Sequence, residues 1–162
     1  MATLRAFPSR EPISGTSAEK VDIKFEVVVI PVAGVDRSKE FYTKLGWRLD
    51  ADFPFDNGFR VVQFTPPGSG CSVTFGKGLT VAAPGSSTAA LIVSDIKAAH
   101  DEFIRRSINV SDMWHGAPFP PEARLPGPDP KRASYGSFFA FSDPDGNAWL
   151  VQEVTTRRPG RT

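Results

Sequence analysis

The segment Phe25 to Val32, FEVVVIPV, is an apolar, β-branched run of the kind that predicts a strand buried on both faces. A helix is expected next: Asp36 and Ser38 fall in its first turn, Phe41, Tyr42 and Leu45 make its apolar stripe, and Gly46 supplies the stop. Three short strands follow at Trp47 to Ala51, Phe59 to Thr65 and Cys71 to Phe75, the last two joined by a five-residue turn, Pro66 to Gly70. The resulting order is β-α-β-β-β.

The second half repeats that order: a strand at Ala89 to Val93, a helix from Asp95 to Arg106 with Asp95 as N-cap, a strand at Asn109 to Met113, and a hairpin over Tyr135 to Val154. One constant offset matches Val32 with Val93, Val35 with Ile96, Tyr42 with Phe103 and Trp47 with Ile108, which marks an internal repeat. The halves differ most between His115 and Ser134, where Pro118, Pro120, Pro121, Pro126, Pro128 and Pro130 exclude a helix or central strand and predict a stiff, partly extended loop. A loop of this length is either a lid over a binding site or a plain excursion.

Composition narrows the class. A chain of 162 residues with 40% hydrophobic content suffices for one well-buried domain. We expect a leader over residues 1–20, a single domain over 21–155 with repeats at about 21–80 and 87–155, and a polar tail over 156–162. The leader carries charges and prolines in place of the apolar run of a signal peptide or membrane span. Nineteen basic against eighteen acidic residues, scattered to a net charge of +1, give no footprint for nucleic acid or acidic lipid. The lone Cys71 excludes an internal disulfide and suits a reducing, cytoplasmic setting. With two histidines besides, it cannot make a zinc site of usual composition.

Pro31, Val32, Val35 to Ser38, Phe41, Tyr42 and Leu45 to Trp47 in the first repeat, with Asp143 to Asn147 in the last hairpin, resemble the vicinal oxygen chelate superfamily, the glyoxalase, bleomycin-resistance and dioxygenase fold. The resemblance spans roughly Val21 to Val154. It implies an α+β architecture in which two tandem βαβββ repeats form a curved, barrel-like mixed sheet with a central cleft, within one chain or across a homodimer. The turn Asp143 to Asn147 also does ordinary work as a hairpin reversal. It imitates the start of a calcium loop, but its glycine is misplaced and Val154 stands where the closing glutamate belongs.

In metal-dependent relatives, the resemblance implies, each repeat gives one ligand from its first strand and one from its last. Those positions here are Val27, Thr74, Thr88 and Leu150, which suit no divalent ion, so neither metal nor other cofactor is expected. Strand alternation from these four adds Phe25, Val29, Ser72, Ala90, Ile92 and Gln152 to the cleft, and hairpin pairing adds Arg60, Val62, Phe64, Phe138 and Ala140. Such a lining suits an apolar or aromatic small molecule. His115, beside Trp114 at the mouth of the proline-rich loop, and Tyr135 are the candidate proton-transfer groups; the plainer readings are a loop histidine stacked on Trp114 and a tyrosine packed at a strand entrance. Arg60 meets either an anionic ligand or Asp50 or Asp52, Cys71 reads as a small buried side chain, and His100 as solvated.

The expected function is metal-independent binding of a drug or metabolite, with Val27, Val29, Arg60, Phe64, Thr74, Thr88, Trp114, Phe138, Leu150 and Gln152 touching the ligand. The alternatives are a metal-free isomerisation, cyclisation or lyase step using His115 or Tyr135, and a scaffold module without a ligand.

Overall fold

The computed structural model describes residues 23–117 and 120–157. The expected leader, Pro118 and most of the expected tail lie outside them. The first repeat runs β1 (Val27–Val29), α1 (Val35–Lys44), β2 (Arg48–Pro54), β3 (Arg60–Thr65) and β4 (Ser72–Lys77). The second runs β5 (Thr88–Val93), α2 (Ile96–Arg105), β6 (Trp114–Gly116), β7 (Arg124–Pro126), β8 (Ser137–Ser142) and β9 (Ala148–Glu153), with a 3-10 turn at Pro121–Ala123. Two sheets result, ordered β1-β4-β3-β2 and β5-β9-β8-β6-β7; in each, the opening strand lies parallel to the closing one and the remaining pairs are antiparallel.

Local chemistry explains the helix ends. Gly46 takes a φ of +79°, a conformation that a side chain would oppose, and so ends α1. The Asp95 side chain accepts the Ala98 N–H at 2.9 Å, satisfying one of the orphan donors at the start of α2. Among the described residues no helix is long and apolar enough to cross a membrane.

Three elements depart from the sequence expectation. The opening strand is not buried on both faces: Val27, Val28 and Val29 are 39%, 37% and 42% exposed and Phe25 79%, because β1 is an edge strand bonded only to β4. The strand expected at Asn109 to Met113 shrinks to one bridge, Val110 to Phe141, and the ladder resumes one register later at Trp114 to Phe138. Ser111 fills the gap, its N–H donating to Ala140 O and its hydroxyl accepting the Ala140 N–H. The proline-rich segment contributes an edge strand, β7, whose Pro126 lies opposite Trp114 at the rim, where a missing N–H does no harm.

The two repeats are locked through their helix-covered faces. Tyr42 of α1 packs against Phe64 and Phe75 of its own sheet and against Trp149 of the other, and Trp47 meets Trp149 edge-on at 5.2 Å. The Tyr42 hydroxyl donates to Asp143 Oδ2 at 3.1 Å and accepts the Trp149 indole N–H at 3.3 Å. Asn147, also buried, donates to Pro31 O and to Asp143 Oδ2, both at 2.8 Å, and accepts the Ser87 N–H. The Asp-Gly turn therefore reverses a hairpin and also clamps the second repeat onto the first. Burial, and then the nearby Asp143 charge, pushes the Tyr42 phenol far up, so the bridge stays neutral on the tyrosine side.

Candidate functional site

Each sheet has a second face that no helix covers. On the first, register places Val27, Ser72, Thr65 and Arg48 in one row, Val29, Thr74, Gln63 and Ala51 in the next, and Gly76, Val61 and Phe53 in the third. On the second, the rows are Thr88, Ala148 and Ser142, then Ala90, Leu150 and Ala140, then Ile92, Gln152, Phe138 and Trp114. The four positions Val27, Thr74, Thr88 and Leu150 thus lie on uncovered faces, two to a sheet. Because the opposite, helix-covered faces meet at Tyr42 and Trp149, the uncovered faces point away from each other and do not enclose a cleft within one chain.

The first uncovered face has a polar centre, with Val27, Val29, Val61 and Phe53 around it. Thr65 donates its hydroxyl hydrogen to Asp50 and meets the Ser72 hydroxyl at 2.6 Å, while Thr74 donates to Val62 O at 3.0 Å. Arg48 donates to the other Asp50 oxygen. Hydrogen bonds from Arg48 and then Thr65 hold the Asp50 carboxyl below its ordinary range. The second face is apolar. Trp114 stacks on Phe138 at 5.8 Å, the Arg124 guanidinium lies 4.1 Å over its ring, and its buried indole N–H has no partner among the described residues. Gln152 is anchored by its amide, which donates to Tyr135 O.

Arg60, Val62 and Phe64 face α1, not the uncovered side. Arg60 is engaged by Asp52 and Asp36, whose hydrogen bonds push the guanidinium up and, with Lys39, draw Asp52 below the usual carboxylate range. Phe64 packs on Tyr42 and Phe75. The cause is one residue of turn length. A five-residue turn pairs Val62 with Thr74, whereas the observed register pairs Gln63 with Thr74 because Cys71 joins the turn, bound through Ser69 Oγ. A slip of one exchanges the faces of the whole strand. Gln63, Thr65 and Asp50 are therefore wall residues that sequence reasoning missed; the hydroxyl pairing of Thr65 with Ser72 was the available signal.

His115 faces away from Trp114, toward the Ser137 side of the sheet, and its Nδ1–H donates to Gly127 O at 2.8 Å. It neither stacks on Trp114 nor reaches the uncovered face. Tyr135 has a φ of +69°, donates its N–H to Glu153 O and orients Gln152 through its carbonyl. His100 is half-buried, not solvated, with an edge-on contact to Phe139 and a hydrogen bond to Ser111 O.

The residues at the four family positions do not fit a metal. Valine and leucine carry no donor atom, and the Thr74 hydroxyl is already bound to Val62 O. Among the described residues no group of three or more His, Cys, Asp or Glu side chains could hold an ion.

The family model described as bleomycin resistance protein-like N-terminal matches residues 24–64. The structure resembles that of TnmS3, an antibiotic binding protein from Streptomyces sp. CB03234, at 25% identity and a TM-score of 0.61, over 83% of this chain and 98% of that one. It also resembles a glyoxalase/bleomycin resistance protein from the same organism, at 26% identity and a TM-score of 0.57, over 80% and 100% of the two chains. A member of the glyoxalase/bleomycin resistance protein/dioxygenase superfamily from Sphaerobacter thermophilus DSM 20745 shares the fold at 23% identity and a TM-score of 0.57, over 82% and 98%. No protein of curated function matches the sequence.

Proposed function

We propose that this chain, a member of the vicinal oxygen chelate superfamily, binds a small, largely apolar or aromatic organic molecule without a metal, in a cleft that a second copy of the chain completes. The carrying observation is the pair of uncovered faces, one with a polar centre and one mainly apolar, each bounded by an exposed edge strand, β1 or β5. Laying β1 of one copy beside β5 of another covers Val27, Val29 and Ile92 and turns the Ser72 and Thr74 wall toward the Ala90 and Leu150 wall. An aromatic ring then rests on the second and is oriented by the first. TnmS3 is an antibiotic binding protein, which supports sequestration. Proton-transfer chemistry has less support, because the His115 ring is tied to Gly127 on the other face.

Sedimentation equilibrium and elemental analysis of the purified chain test this reading. A dimer free of transition metal is expected, with Val29→Glu shifting it to monomer while leaving the fold intact. Stoichiometric zinc, iron, manganese or nickel refutes metal independence, and a monomeric wild type refutes the shared cleft.

A further inference from the structure

The polar wall has a direction. An ionised Asp50 only accepts hydrogen bonds, so Thr65 must donate to it. A hydroxyl has one hydrogen, so in the contact between Thr65 and Ser72 it is Ser72 that donates. Thr74 has committed its own hydrogen to Val62 O. All three hydroxyls are nearly buried and all three hydrogens are consumed inside the protein, leaving lone pairs for whatever lies on the wall. Arg48 at the rim is held by the Asp50 carboxylate.

We infer that this wall selects ligands by hydrogen-bond polarity: it presents an acceptor at Ser72 and so takes an aromatic compound bearing a hydroxyl or N–H donor, and discriminates against one offering only carbonyl or ether oxygens. Asp50 is the positioning residue that sets this sense without touching the ligand. The inference rests on the binding reading above and adds to it the class of ligand. A corollary separates it from mere wall polarity. Asn at position 50 directs its carbonyl to Arg48, as the Asp50 oxygen does now, and its N–H₂ to Thr65. Thr65 then donates to Ser72, and Ser72 donates outward.

The test uses three probes of one shape, 2-naphthol, 2-methoxynaphthalene and 2-acetylnaphthalene, titrated into the full-length protein. Binding is followed by amide chemical-shift changes at Ser72 and Thr74. Wild type is expected to prefer 2-naphthol by about threefold to tenfold, the net worth of one neutral hydrogen bond. Ser72→Ala brings the three affinities together, and Asp50→Asn raises the relative affinity of 2-acetylnaphthalene by a similar factor. Equal wild-type affinities, or a preference unchanged in Ser72→Ala, overturn the polarity while leaving the binding reading standing. Failure of all three probes to perturb either residue removes the binding reading and the inference with it. A misfolded Asp50→Asn, seen in its amide spectrum, leaves Ser72→Ala to decide.

Discussion

Replacing Tyr42 by Phe removes a single oxygen from the centre of the molecule. That oxygen, fully buried, donates to Asp143 Oδ2 and accepts the Trp149 indole N–H. Losing a hydrogen bond to a buried carboxylate costs about 1.5–3 kcal/mol, and the orphaned Trp149 N–H adds about 1 kcal/mol or more. The variant no longer has to desolvate a phenol, which returns part of this, so the expected net loss is about 2–3 kcal/mol. For a chain of this length that lowers Tm by about 4–10 °C. Urea unfolding of wild type, Tyr42→Phe, Asp143→Asn and the double variant measures it. A coupling energy of about 1 kcal/mol or more between the two sites is expected. A Tyr42→Phe protein within about 0.5 kcal/mol of wild type refutes the claim that the repeats are held by this bridge.

The same bridge fixes a pH dependence of known sign. The Tyr42 phenol is raised above its ordinary value by burial, then by the Asp143 charge. The folded state therefore holds its proton more tightly than the unfolded chain. That stabilisation is complete below about pH 10, the unfolded phenol's range, and is lost as the pH rises beyond it. Tyr42→Phe lacks this alkaline limb, and the two unfolding curves converge above pH 10.

At the acid end, Asp52 lies below the usual carboxylate range through its hydrogen bonds to Arg60 and Lys39. Its contribution is therefore present above about pH 4 and lost on acidification, and a urea series from pH 6 to 2 should show a shallower decline for Asp52→Asn. Asn147→Ala deletes two buried hydrogen bonds, to Pro31 O and Asp143, and a part-buried one from Ser87 N, and chemical denaturation should show a loss of about 2–4 kcal/mol. Gly76→Ala sets a Cβ 1.8 Å from Arg60 O, so the β3–β4 hairpin must open; about 3 kcal/mol or more is expected, with amide exchange accelerated at Val61 and Val62.

Periodicity and caps located both helices and the strands of the first repeat because those signals are local: Tyr42 and Phe103 recur at one offset, and Gly46 and Asp95 mark ends that the structure keeps. What stayed hidden was non-local. The β3–β4 register turns on whether Cys71 belongs to the strand or the turn, a choice settled by Ser69 Oγ bonding its backbone, and that one residue decides whether Arg60 and Phe64 or Gln63 and Thr65 line the wall. Nor does an apolar run such as that of β1 say whether its cover comes from its own chain. Covered and uncovered β-branched strands have the same composition.

Placing the Tyr42, Asp143, Trp149 and Asn147 lock on the helix side has a consequence for the opposite walls. The strands are already fixed from behind, so the uncovered side chains are released from holding the fold and can differ between the repeats. The register shows this at equivalent positions. Where the first repeat has Ser72, Thr74 and Gln63, the second has Ala148, Leu150 and Ala140, two hydroxyls and an amide against three alkyl groups. Helix-side positions keep their character instead, Val73 and Phe75 matching Trp149 and Val151, all buried. The contrast at these three wall positions is the one that the proposed ligand, with a donor-bearing edge and an apolar face, requires.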